Sequence, residues 1–273
     1  MTRVAFQGER GAFSEDAVIK FFGDVELVPR RSLGDVFEAV ARGKADFGVV
    51  PVENSQAGSI NETYDLLLRH DLNICGEIAL EVNHCLMAPA GETIASIKTV
   101  YSHPQALAQC EQFLRRLRAE IVPTYDTAGS AKMIREKGLL NCAAVASKRV
   151  AEIYQMQVLA EEIQTIRDNY TKFFVISKEK AKRADKNKTS LVFGMRNSAG
   201  ALYDCLGAFA TRGINLTKLE SRPSKNRPWE YVFYVDFEGH VDDQLCSQAL
   251  LDMLKTTSFL KILGSYPKNV GAE

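Results

Sequence analysis

The side chains best suited to chemistry sit in four short polar stretches, each just after an apolar run and just before a helical one. They are Ala12-Phe13-Ser14, Glu53-Asn54-Ser55, Ser102-His103-Pro104-Gln105 and Asp126-Thr127-Ala128-Gly129-Ser130. A helix start presents unpaired N–H groups and a partial positive charge, so such positions suit carboxylates. Converging on one cleft, the four would form a site for a small anion; singly, each also reads as an ordinary helix cap. A fifth stretch, Asp168-Asn169-Tyr170-Thr171-Lys172-Phe173, gathers a hydroxyl, a cation and an aromatic ring between two predicted strands. Its plainer reading is a loop-to-strand transition. Metal chemistry has no comparable support. The four histidines include no His-x-x-x-His pair, and the six cysteines are scattered without paired spacing. They read as free thiols of a reducing compartment.

The elements that must position these stretches alternate between strand and helix. Residues 3–7 read as a first strand, followed by Gly8-Glu9-Arg10-Gly11. That spacing fits neither the dinucleotide fingerprint nor Walker A, which leaves an anion-binding or backbone-contact loop. Residues 25–28 form a second strand. Ser32, with Asp35 three residues on, then opens a helix whose Leu33, Val36, Phe37 and Val40 share one face. Phe47, Val49, Val50 and Val52 make a third, buried strand, with Pro51 expected at its end because it lacks a donor. A helix over 60–70 follows. Strand–helix alternation argues for mostly parallel sheets.

Residues 74–87 read as two extended runs broken at Gly76, crossing into a second lobe. That lobe repeats the pattern: strand 99–102, helix 106–117 with Pro104 at its start, strand 120–125, a helix capped by Asp126, strand 143–146, and a helix capped by Ser147. Strands at 158–163 and 171–177 are expected to return to the first lobe. Residues 178–188, KEKAKRADKNK, have no apolar face and read as a linker. Beyond it, strand 189–195, helix 199–212, strands 215–220 and 230–237, helix 242–255 and strand 259–266 give the βαββαβ order of a ferredoxin-like domain.

Lys plus Arg and Asp plus Glu both total 34, so the net charge is zero and no basic footprint for nucleic acid or a membrane surface exists. No apolar run approaches spanning length, and MTRVAFQG enters a strand without the regions of a signal peptide. These features lead us to expect a cytoplasmic protein.

Several stretches resemble prephenate dehydratase: GERGAFSEDA from Gly8, VPVENSQAGSI from Val50, SHPQALAQC from Ser102, DTAGSAK from Asp126 and DNYTKFF from Asp168. GALYDCLGAFATRGINLTKLESRP from Gly200 and WEYVFYVDFEG from Trp229 resemble the ACT regulatory domain of the same enzymes. The resemblance implies a two-lobed, periplasmic-binding-protein-like catalytic domain over 1–178, with lobe one at 1–80 plus 155–178 and lobe two at 81–154. A linker at 179–188 and an ACT domain at 189–273 would follow. It implies decarboxylative dehydration of prephenate to phenylpyruvate without metal or cofactor. Thr171 would be the leading catalytic residue, with Glu53, Asn54, Ser102 and Gln105 beside it and Ser14, Ser55, Thr127, Lys172 and Phe173 at the substrate.

The ACT resemblance implies feedback by L-phenylalanine at Gly200, Ala201, Leu202, Asn215, Leu216, Glu220, Ser221 and Arg222, in a homodimer or homotetramer. Arg222 could serve either ligand or structure. One departure stands out: the family motif has arginine where this chain has Lys172, which loses the bidentate fork. Alternatives are arogenate dehydratase, which has the same fold and motifs, and a catalytically silent phenylalanine sensor.

Overall fold

The computed structural model describes residues 1–195, 198–223 and 231–268. Trp229 and Glu230, which open the WEYVFYVDFEG stretch, lie outside the described residues. The chain forms two compact units: Met1–Thr63 with Ile78–Phe173, and Tyr64–Glu77 with Phe174–Glu273.

The chain runs through β1 (Arg3–Gln7), α1 (Phe13–Phe22), β2 (Glu26–Arg30), α2 (Leu33–Ala41), β3 (Phe47–Asn54), β4 (Gly58–Ser59), α3 (Asn61–Arg69) and β5 (Asn73–Glu81). Next come β6 (Cys85–Ala88), β7 (Thr99–Ser102), α4 (Pro104–Gln109), α5 (Glu111–Leu114), β8 (Glu120–Pro123), α6 (Thr127–Lys137), β9 (Cys142–Ala146), α7 (Lys148–Ile153), β10 (Gln157–Ala160) and β11 (Tyr170–Ser177). The first sheet has the order β2-β1-β3-β11-β5, with β4 folded back on β3; the second has the order β10-β6-β9-β7-β8. They are the cores of two lobes, and β5 and β11 of the first sheet each have residues in both units. The Ser32–Asp35 capping box opens α2 as its spacing predicts, each residue's side chain accepting the other's N–H. In the second lobe β9 is buried on both faces, so alternate residues enter different cores. Cys142, Ala144 and Ala146 meet Ala128, Ala131 and Ile134 of α6, while Ala143 and Val145 pack with Ala106 and Leu107 of α4.

The two lobes depart from the expectations in five places. Pro51 lies inside β3, past the rungs that Phe47, Gly48 and Val49 share with β1, so its missing N–H removes none of them. β5 runs unbroken through Gly76. β10 pairs antiparallel with β6 in the second sheet and does not return to the first lobe; only β11 does. The helix expected over 106–117 is divided at Cys110, where φ is −102° and ψ 11°. Ser147 precedes α7 without capping it, its hydroxyl donating to Gly11 O instead (3.0 Å).

The second unit contains β12 (Asn187–Met195), α8 (Ala201–Ala210), β13 (Leu216–Pro223), β14 (Tyr231–Glu238), α9 (Gln244–Met253) and β15 (Thr257–Pro267). The antiparallel sheet order β13-β14-β12-β15 is that of a ferredoxin-like fold. One face buries Leu191, Phe193, Phe233, Val235 and Phe237 against Phe209 of α8 and Met253 of α9. The other face receives the Tyr64–Glu77 segment. There Lys261 Nζ donates to the Leu67, Leu68 and His70 carbonyls that end α3 (3.0, 3.2 and 2.7 Å), a cationic cap for its negative pole. Asn187 and Lys188 open β12 and are buried, so the linker expected to reach residue 188 stops at Lys186. Polarity had marked Lys188 as solvated; Glu77 and Asp236 are what draw it inside.

Candidate active site

Three distant segments meet at the end of β3. Asn54, 3% exposed, accepts with its side-chain oxygen from the N–H groups of Gln56 (3.1 Å) and Ala57 (3.0 Å). This turn fixes which way the amide points. Its NH2 therefore faces β11, where it donates to Asn169 Oδ1 (2.8 Å), Tyr170 O (3.1 Å) and Thr171 Oγ1 (3.0 Å). Because Thr171 Oγ1 accepts from Asn54, the hydroxyl keeps its own hydrogen for another partner. Ser55 clamps the same strand, its N–H donating to Tyr170 O (2.8 Å) and its hydroxyl accepting from Tyr170 N (2.9 Å). Gln109, at the end of α4 in the second lobe, donates to Asn54 Oδ1 (3.3 Å) and accepts from Asn169 Nδ2 (3.1 Å).

The lobes also meet around the Gly8–Gly11 loop, whose glycines are closely approached by neighbouring side chains. Gly8 and Gly11 have φ of +113° and +89°, and a Cβ would fall 2.8 Å from Ala12 Cβ and from Val150 Cγ2 respectively. Asp126 Oδ2 accepts from Glu9 N (2.9 Å), Lys132 pairs with Glu9 (2.9 Å), and Arg149 pairs with Glu15 and Asp16. Beside this loop lies a cavity of about 380 Å³ lined by Ser14, Arg30, Arg31, His103, Asp126 and Thr127 among others. That volume suits a small metabolite. Among the described residues no side chain caps α1 there, and Arg30 and Arg31 add positive charge. Phe13 connects the two regions: it lines the cavity and its ring meets the His84 imidazole edge-on at 5.4 Å.

The structure sorts the expected site residues. Asn54, Ser55 and Thr171 converge on one array, and Ser14 and Thr127 line the cavity. Glu53 sits in the β3–β4 hairpin opposite Ser59. Glu53-Asn54-Ser55 therefore does not open a helix, because β3 continues through Asn54 and turns back. The helix ends at α4 and α6 are already capped by His103 Nδ1 and Asp126. Ser102 is fully buried and its hydroxyl donates to Val145 O (2.6 Å), a commitment inside the second lobe. Gln105 is exposed, and the neighbouring turn supplies Gln109 to the array instead. Phe173 is core, 2% exposed, and strand alternation turns Lys172 to the face opposite Thr171. Sequence reading missed Gln109, His84 and the Arg30-Arg31 pair, and left Asn169 unassigned. The i, i+4 spacing of Gln105 and Gln109 was the signal available for the first.

In the second unit, Gly200, at φ +85°, caps α8 ahead of Ala201 and Leu202. Alternation along β13 divides the other expected motif. Glu220 and Arg222 stand opposite Tyr234 and Val232, while Ser221 stands opposite Phe233 on the helix side. Arg222 pairs with Asp65 (2.9 Å) on the Tyr64–Glu77 side, which gives it a structural partner.

A family model described as prephenate dehydratase matches residues 4–181, and one described as ACT domain matches residues 189–250. The chain belongs to the prephenate dehydratase family. Arogenate dehydratase/prephenate dehydratase 2, chloroplastic, of Arabidopsis thaliana is 45% identical over 97% of this chain and 72% of that protein. A prephenate dehydratase from Arthrobacter aurescens solved with L-Phe matches at TM-score 0.88 and 30% identity, covering 98% of this chain and 90% of that one. A structure described as GqqA, a quorum-quenching acylase, matches at TM-score 0.89 and 33% identity over 98% of both chains. Relative to the prephenate dehydratase motif, Lys172 remains the departure, on the strand face away from Thr171. No helix among the described residues is long and apolar enough to cross a membrane.

Proposed function

We propose that the chain is a prephenate dehydratase in which Thr171 assists departure of the ring hydroxyl. The carrying observation is the 3.0 Å bond from Asn54 Nδ2 to Thr171 Oγ1, which orients the hydroxyl as an acceptor inward and a donor outward. In the reaction the carboxylate on the ring carbon leaves as carbon dioxide, and its bonding electrons aromatise the ring. The opposite C–O bond breaks, and the departing hydroxide takes a proton to become water. Threonine is too weak an acid to supply that proton early, so its work is hydrogen bonding to the oxygen as charge develops. Arg30, Arg31 and the uncapped start of α1 suit the substrate's carboxylates. An acylase chemistry is disfavoured by the same geometry. Thr171 contacts an amide, and His84 contacts Gln109, so neither the threonine nor the imidazole of this array is paired as nucleophile and base.

The test is turnover of prephenate and of arogenate by the purified full chain, each with and without L-phenylalanine. We expect prephenate to give the higher kcat/KM; the doubly named Arabidopsis relative keeps arogenate as the second reading. Turnover of neither substrate would leave only the silent-sensor reading. L-phenylalanine as effector, a homodimer or homotetramer, and action in the cytoplasm are part of the proposal, the last supported by six unpaired thiols. For regulation, Gly200→Ala forces a Cβ into the left-handed region at about 1 kcal/mol. Half-inhibition by phenylalanine should then need about five times more effector, with kcat unchanged; an unshifted inhibition curve would remove Gly200 from the effector site.

A further inference from the structure

His84 takes no part in the chemistry above, yet it is 2% exposed and sits in the crossover from β5 to β6 that joins the two sheets. Its main chain is held on both sides: the N–H donates to Gln164 Oε1 (3.0 Å) and the carbonyl accepts from Ile163 N (3.0 Å). Its Nε2 meets Gln109 Oε1 at 2.8 Å, the shortest contact that the Gln109 side chain makes. Nδ1 is buried with no hydrogen-bonding partner among the described residues.

The direction of every bond in the array can be followed. Backbone N–H groups hold Asn54 Oδ1, so Gln109 must offer it an NH2 and turn its own oxygen toward His84. An amide oxygen only accepts, so the imidazole carries its hydrogen on Nε2 and leaves Nδ1 bare.

We propose that His84 is a positioning residue for the dehydratase site, its Nε2–H anchoring Gln109 so that Asn54 presents Thr171 in the productive orientation. This rests on the dehydratase reading of Thr171. Without the anchor, Gln109 keeps only its two longer bonds, and the tilt passes through Asn54 and Asn169 to the hydroxyl. Sub-ångström misplacement of a reacting group is enough to lower kcat while leaving substrate binding intact.

Three substitutions in the full chain separate positioning from packing. Glutamine can place an N–H near the Nε2 position, whereas asparagine reaches only the Nδ1 position and leucine offers no donor. His84→Leu and His84→Asn should each lower kcat by about tenfold or more with KM within about twofold, while His84→Gln should stay within about threefold of wild type. Thermal melts of all three report whether the fold is retained. Wild-type kcat in His84→Asn and His84→Leu overturns the proposal. So does a loss in His84→Gln as large as in His84→Leu, which would make the ring's contact with Phe13 the operative feature. The imidazole 15N resonances of the wild-type chain give a readout independent of turnover. An Nε2-protonated tautomer at neutral pH is expected, and an Nδ1-protonated one overturns the proposal. A wild type that processes neither substrate while showing the Nε2 tautomer would sink the dehydratase reading and confine His84 to orienting the amides.

Discussion

Replacing Thr171 by alanine lowers kcat by about two orders of magnitude, because one donor aimed at a developing oxyanion is worth about 3 kcal/mol in a preorganised site. The structure says why the loss should fall on kcat. Asn54 and the Ser55 clamp hold the strand and stay in place when a methyl replaces the threonine side chain's upper half, so substrate would still bind. Asn54 Nδ2 also retains Asn169 Oδ1 and Tyr170 O as acceptors, so no buried donor is orphaned and the melting temperature should barely move. Thr171→Ser keeps the oxygen and should stay within about tenfold of wild type. Steady-state rates for the three proteins, with melts alongside, test this. Alanine turnover matching wild type would remove Thr171 from the chemistry altogether.

The second large effect lies in the second unit and concerns stability. Lys188 bridges Glu77 (2.8 Å) and Asp236 (3.4 Å), all three side chains buried. Burial alone would push the ammonium's pKa down, yet Asp236 and Glu77 together hold it above the ordinary lysine value. Ser190 donates to Asp236 (2.6 Å) and meets the Tyr266 hydroxyl at 2.8 Å, so the carboxylate sits in a filled polar network. Lys188→Met removes the cation that both buried carboxylates face, and the expected cost is about 3 to 5 kcal/mol. Urea unfolding measures it. Adding Glu77→Gln and Asp236→Asn to the methionine variant should recover part of the loss, since the uncompensated buried charge then disappears. A methionine variant within about 1 kcal/mol of wild type would mean that water or a rearrangement replaces the lysine.

Local order was legible without the structure wherever the controlling contacts lie within one turn or one pleat. The Ser32–Asp35 box, Pro104 at the start of α4, the Asp126 cap and the βαββαβ order of the second domain all follow from spacing alone. The polar stretches, in their order along the chain, were enough to point to the family, and Thr171 and Asn54 were among them. What they could not disclose is which side chains are spent on the fold. Ser102 and Gln105 carry the right chemistry in the right stretch, yet one is tied to Val145 O and the other faces solvent. Strand alternation likewise divides Thr171 from Lys172, and Ser221 from Glu220 and Arg222, which adjacency in the chain conceals.

The sequence by itself therefore determined the alternation of elements, the Ser32 and Asp126 helix caps, the ferredoxin-like second domain and the family's polar motifs, because each depends on residues a few positions apart. Only the tertiary structure decided that Asn54 faces Asn169 across 115 residues, that Gln109 and His84 complete the array, that β10 joins the second sheet, and that Lys188 is core. The physical reason is range. Propensity and periodicity act over a turn or a pleat, whereas a buried polar group takes whichever partner the packing of distant strands brings within hydrogen-bonding distance.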